Sequence, residues 1–197
     1  MTITAFKALI KSKDPYEVAC EIFGGSSAEH VSVDGVGLIR NKLSSAFNAP
    51  TDKLSILVSG SAKLGFSIIE KKDKKSGFIL PRYRSFRASS DIDTAVISAP
   101  IFDLIWHELA RFYHQDTYFP SGACSDLGRY LPYGWLRPDK FPAKPSLIYC
   151  NRWWEIFNEL SVNPQFGPRK VRGGLFYSEE QFFRYQARAL SDCKILP

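Results

Sequence analysis

Asp91 and Asp93, one residue apart in SDIDTAVIS, are the side chains of this sequence best placed to do chemistry. On an extended strand, positions i and i+2 project from the same face, so both carboxylates emerge together while Ile92 enters the core. Two carboxylates side by side repel unless a cation lies between them. Hard oxygen donors in that arrangement suit Mg²⁺, which keeps waters and phosphate oxygens in its shell. Some thirty positions upstream, LVSGSAKLGFS ends an apolar run with Gly60-Ser61 and turns helical. Glycine lets a backbone approach a ligand closely, and the serine hydroxyl and free N–H groups of the following helix would face one anion. Lys63 sits in the first helical turn, where a cation opposes the helix dipole; a bound phosphate explains that placement, and so does ordinary exposure. A phosphate cradle beside a carboxylate pair is equipment for phosphoryl or nucleotidyl transfer.

Taken together, SGS and SDIDTAVI resemble the signature of the polymerase-beta-like nucleotidyltransferase superfamily. That signature is an apolar residue, Gly, Gly or Ser, a spacer, then Asp-x-Asp within a strand. Gly60, Ser61, Asp91 and Asp93 match it, and Ser90 fits many small bacterial members. The match is close over residues 54–98 and elsewhere follows only the order of elements. The resemblance implies a small mixed sheet flanked by helices, two Mg²⁺ ions (or Mn²⁺), and a nucleoside triphosphate held by the Gly-Ser turn. Asp91 and Asp93 would be the catalytic, metal-binding pair, with Gly60 and Ser61 on the nucleotide; Lys63 and Arg172 are candidate nucleotide contacts by their own positions, outside the family's pattern. One metal would activate an acceptor hydroxyl in line with the α-phosphate. Acceptors in the family include RNA ends, proteins and small molecules, and small stand-alone members occur as toxins, antitoxins and antiphage proteins.

The sequence departs from the pattern twice. The spacer is long, because residues 68–89 (IIEKKDKKSGFILPRYRSFRAS) are inserted and read as a basic hairpin at the mouth of the site. Within it Arg82, Arg84 and Arg87 alternate with Tyr83 and Phe86, which suits a nucleic-acid backbone with stacked bases or a solvated hairpin with one buried face. The second departure is chemical. The family carries a third carboxylate on the next strand, and residues 171–177 offer Arg172 with no Asp or Glu. Asp103, Glu155 or Glu179 would have to supply it from elsewhere. Arg172 would contact the triphosphate or pair with Asp91 or Asp93, in which case it replaces a metal. Two alternatives to a metal-dependent transferase follow. One is a degenerate member that binds nucleotide, RNA or a partner protein as an antitoxin-like regulatory subunit. The other is a subunit that docks through residues 116–145.

The elements that must position these groups follow from periodicity. Residues 3–23 carry a helical stripe broken at Asp14-Pro15, GGSS (24–27) is a turn, and residues 29–47 form another helix that stops at Asn48-Ala49-Pro50. Residues 53–60 and 90–98 read as buried strands. Ser98 caps a helix with Pro100 near its start, and residues 146–160 are helical. Residues 169–177 are a third strand, and Ser178 with Gln181 opens the last helix as a capping box. Residues 116–145, rich in Gly, Pro and aromatics, read as a long irregular connection. The expectation is one α+β domain over residues 1–197, helical over 1–50, with the motif region at 54–98 and a helical part with the third strand over 99–197.

Composition narrows the class. A length of 197 residues with 45% hydrophobic and 23% charged residues is that of a globular domain with a proper core. No apolar run is long enough to span a bilayer, and the N-terminal residues lack a signal-peptide core. The four cysteines show no CxxC and no short spacing to histidine, which argues against a zinc site and points to reduced thiols in the cytoplasm. A net charge of +6 permits polyanionic partners without requiring them. His107 and His114 lack metal-ligand spacing, Trp153 and Trp154 read as packing, and no Ser-His-Asp or Cys-His system is present.

Overall fold

The apolar run before Gly60 has a β-branched and aliphatic character that helices do not need, and it forms strand β1 (Ser55–Ser59). The second run forms β4 (Ile92–Ile97), buried at every position but Asp93. A strand flanked on both edges and covered on both faces needs that near-continuous apolar pattern. β1 runs antiparallel to β4, which in turn pairs in parallel with β6 (Val171–Phe176). A two-residue edge strand, β5 (Trp135–Leu136), completes a four-stranded mixed sheet in the order β1-β4-β6-β5. The computed structural model describes residues 1–25, 27–73, 77–115, 121–141 and 144–195.

Alternation along the strands divides the apolar residues between two helical layers. One face, with Ile56, Ile92, Val96 and Leu175, is covered by α3 (Val33–Phe47), α5 (Ala99–Gln115) and α7 (Ile148–Val162). The other, with Leu57, Ala95, Ile97 and Phe176, meets α1 (Ile3–Ser12), α2 (Pro15–Phe23) and α8 (Glu179–Ile195). Gly173 permits the first packing: a Cβ there would lie 2.1 Å from the Phe157 ring. The expected α+β class with a mixed sheet is what the chain forms, and no helix of the described residues is long and apolar enough to cross a membrane.

Helix ends follow local chemistry. Asp14 and Ser32 accept from Tyr16 N and Gly35 N, opening α2 and α3, and Ser98 Oγ accepts from Ile101 N at 3.5 Å. At α8, Gln181 N–H donates to Ser178 Oγ and that hydroxyl donates to Gln181 Oε1, both at 3.3 Å. α7 has no capping side chain of its own. Glu108, buried on α5, reaches across so that its carboxylate accepts from Tyr149 N (2.8 Å) and Cys150 N (3.0 Å). Carboxylate and helix N-terminus stabilise each other. Glu108→Ala should therefore cost about 2 kcal/mol, lowering Tm by roughly 4–8 °C in a thermal melt. An unchanged Tm would mean that water caps α7 equally well.

Three expectations need correction. The helix anticipated over residues 29–47 begins only at Val33, because the N–H groups of Glu29 and His30 donate instead to the carbonyls of Lys63 and Ala62. The insert does form a hairpin, but its strands β2 (Lys71–Lys72) and β3 (Ile79–Leu80) are two residues each. Residues 74–76 at its tip, and Ser26 of the GGSS turn, lie outside the described residues. Residues 116–145 are not an irregular connection throughout. They hold helix α6 (Ser121–Tyr130) and β5, while residues 116–120 and 142–143 lie outside the described residues. Among the described residues, α6 packs Leu127 against one core cluster and Tyr130 against the other, with Leu131 just beyond it, too few apolar positions to show as a stripe in the sequence.

Candidate functional site

The site forms where β1 ends and β4 and β6 begin. Ser59, the last residue of β1, pairs with Asp93, and its Oγ donates to the Asp93 carbonyl at 3.3 Å. Gly60 then takes φ +60°, a left-handed conformation that glycine adopts without strain. A Cβ built on Gly60 would stand 3.4 Å from Asp93 Oδ2, so glycine leaves open the space beside the carboxylate that any other side chain would enter. One turn of helix, α4 (Gly60–Leu64), follows and is closed by Gly65 at φ +84°. The helix anticipated behind the Gly-Ser turn is thus five residues long, and its dipole contribution is correspondingly small.

Asp91 and Asp93 open with Gly60, Ser61 and Ser90 into one cleft of about 530 Å³. That volume lies within the range of small-molecule sites. Asp93 lines the cleft and is the one exposed residue of β4. The surrounding protein pushes its carboxyl above the ordinary aspartate value, and the Asp91 charge adds to the rise. Arg172, Arg137 and Lys71 pull in the opposite direction. Arg172 is the register partner of Asp93 on β6, and its Nε donates to Asp91 Oδ2 at 2.8 Å. The arginine anticipated in place of a third carboxylate thus clasps one member of the pair.

The other anticipated residues are placed as follows. Lys63 does not line the cleft: its ammonium donates to the carbonyls of Gly25 (2.6 Å) and Ser27, and burial lowers its pKa. Arg84 lines the cleft, but its guanidinium donates to the carbonyls of Leu80 (2.7 Å) and Pro81 and to Ser67 Oγ, clasping the base of the hairpin. Arg87 lines the cleft and its N–H donates to Ser90 Oγ at 3.0 Å. Arg82 faces away, donating to the Asp192 carbonyl at 2.9 Å. Two aromatics of the insert pack inward, Tyr83 against Phe6 and Phe66 and Phe86 on His30 with centroids 4.2 Å apart, while Phe78 is exposed. The basic–aromatic alternation of the insert is therefore mostly a hairpin with a buried side. Asp103, Glu155 and Glu179 are not among the cleft residues.

Sequence reasoning missed Lys71, Arg137 and Asp73. Lys71 and Asp73 line the cleft from the hairpin, hidden in the run EKKDKK, whose charges resemble any solvated loop. Arg137 is held by Asp139 through two hydrogen bonds (2.7 and 2.6 Å), and its charge acts on Asp93; only the three-dimensional pairing of β5 with β6 brings it there.

Among the described residues, no three His, Cys, Asp or Glu side chains come together as a metal-holding group. The donor set still fits Mg²⁺ of one kind. Asp91 and Asp93 supply hard oxygens on one sheet face, and Mg²⁺ is commonly held by one or two carboxylates with phosphate oxygens and water completing the shell. A three-carboxylate, two-metal centre does not fit, because among the described residues no third carboxylate joins Asp91 and Asp93 in a metal-holding group and Arg172 stands beside them instead. The four cysteines are unpaired and stand away from the cleft lining. Comparison of the chain with protein-family models, with curated proteins and with solved structures found no match.

Proposed function

We propose that this chain is a metal-dependent nucleotidyltransferase that moves a nucleotide from a nucleoside triphosphate to a hydroxyl of RNA, protein or a small molecule. The observation that carries the reading is that the Gly60-Ser61 turn, Asp91 and Asp93 line one cleft, with Gly60 leaving open the space beside the Asp93 carboxylate. Asp91 and Asp93 would hold Mg²⁺ together with the phosphates. A bound Mg²⁺ supplies positive charge to the developing transition state and acidifies a coordinated hydroxyl. The protein's own part is positioning. Gly60 lets the backbone come within contact distance, Ser61 offers a hydroxyl, and Lys71 and Arg87 place positive charge along the cleft for the remaining phosphates. Arg172 must release Asp91 when the metal enters. Its side chain is 48% exposed and that of Asp91 35%, so the exchange costs little.

The reading is tested by supplying α-phosphate-labelled nucleoside triphosphates and Mg²⁺ with RNA, protein and small-alcohol acceptors. Label should move to one acceptor class with the native chain and not with Asp91→Ala/Asp93→Ala. Absence of transfer to every class would favour a second reading, which the Arg172–Asp91 ion pair supports. In it the guanidinium stands where a metal would, and the cleft binds a nucleotide for recognition without chemistry.

A further inference from the structure

Beside the carboxylate cleft lies a second cavity of about 470 Å³. Ile68 and Ile69 wall both cavities, so the two clefts are neighbours. The second is lined by three arginines from three elements, Arg82 of the insert, Arg129 of α6 and Arg188 of α8, and by Tyr130, Tyr133 and Tyr185. Arg129 lies over the Tyr130 ring at 5.9 Å, and Arg188 lies over the Tyr133 ring at 5.8 Å while donating to the Tyr133 hydroxyl. Tyr133 and Tyr185 meet edge to face at 5.8 Å. A guanidinium carries five N–H donors, so one spent on the Tyr133 hydroxyl leaves others for a phosphate. Ile69 is 58% exposed at the divide between the two cavities, where it adds an apolar surface. Glu70 and Asp192 also line the cavity, leaving it one positive charge in excess. That balance suits one or two phosphates accompanied by planar groups better than a triphosphate or a densely charged duplex.

We infer that this arginine–tyrosine cavity binds a segment of single-stranded nucleic acid, with bases against the tyrosines and Ile69 and phosphates on the arginines. As a binding site it stands alone. As the place where an acceptor strand rests before its end reaches Asp91 and Asp93, it depends on the transferase reading. It also moves nucleic-acid recognition from the basic–aromatic run of the insert, whose Tyr83 and Phe86 pack against the fold, to the junction of the insert with α6 and α8.

The test is fluorescence anisotropy with a short labelled single-stranded oligonucleotide, in EDTA and without nucleotide, so that the outcome bears on this cavity and not on the metal site. Binding should weaken with salt along a log–log slope near −1.4, about 0.7 for each of two phosphates. Arg129→Glu/Arg188→Glu, both at exposed helical positions, should weaken it by at least about tenfold. The charge-matched control Lys11→Glu/Lys53→Glu, on α1 and before β1, should change it less than about threefold. A duplex of the same sequence should bind at least about tenfold more weakly. Equal losses in the two charge-matched variants, displacement of the strand by an equal concentration of mononucleotide, or no binding at low salt would each overturn the inference. Strand binding by a chain that fails to bind Mg²⁺ and nucleotide would leave it standing and remove only the acceptor role.

Discussion

Asp93→Asn should all but abolish Mg²⁺-dependent nucleotide binding and, in the ligand-free protein, raise the melting temperature. The two effects have one origin. Asp93 is held in a concave position beside Asp91, and both conditions penalise its charge. A carboxyl whose pKa is raised on folding binds its proton more tightly folded than unfolded, so its ionisation works against the fold. The penalty is absent below the unfolded value near 3.8 and complete once the pH exceeds the raised folded value. Asparagine removes it. The variant should therefore melt higher than the native chain at neutral pH, with the difference closing as the pH falls toward 3.8. The same substitution deletes the charge a cation needs, and the loss of a charged ligand contact of about 2–3 kcal/mol corresponds to roughly 100-fold in affinity. Calorimetric titration and thermal melts across pH check the two halves separately. A variant that binds normally, or that melts lower at neutral pH and stays lower in acid, would show that Asp93 is an ordinary structural residue.

Arg172→Asp is the complementary change. The position is in register with Asp93 on the neighbouring parallel strand, so an aspartate there joins two carboxylates and releases Asp91 from its partner. A unit charge near 4 Å from a cation is worth on the order of 1–4 kcal/mol between water and the protein surface. Replacing a positive by a negative charge should therefore tighten Mg²⁺ binding by at least about tenfold. Without metal the three carboxylates repel, so Tm should fall and then recover on adding Mg²⁺, which binds only the folded chain. If the arginine instead serves as the built-in cation of a non-catalytic nucleotide site, the variant loses metal-free nucleotide binding and gains no affinity for Mg²⁺. Thermal melts and calorimetry with Mg²⁺ alone, then with nucleotide, separate these outcomes.

The candidate site was legible in the sequence to the extent that it depends on local periodicity. The i, i+2 placement of Asp91 and Asp93, the buried Ile92 between them and the glycine turn after β1 all follow from a strand's period of two. The three main strands were legible because buried strands concentrate aliphatic and β-branched residues. Edge strand β5 was not, since two residues carry no period and its partner lies some forty positions away. Helix α6 was missed because it covers little of the core. Lys63 is the instructive residue at the site. Its position in the first turn of a helix after Gly-Ser matched a phosphate ligand, but the fold brings the carbonyls of Gly25 and Ser27 to it from a remote turn. Arg84 likewise resembled a ligand contact and proved to be the clasp of its own hairpin. A side chain's charge and spacing show what it is able to bind, and only the tertiary contacts show what it already holds.

The most direct test of the account is calorimetric titration of the native chain with each nucleoside triphosphate, with Mg²⁺ and again in EDTA. The account predicts saturable binding of at least one triphosphate with Mg²⁺, lost in EDTA and lost in Asp91→Ala/Asp93→Ala. Binding that survives in that double variant, or no binding of any triphosphate in either condition, would contradict it.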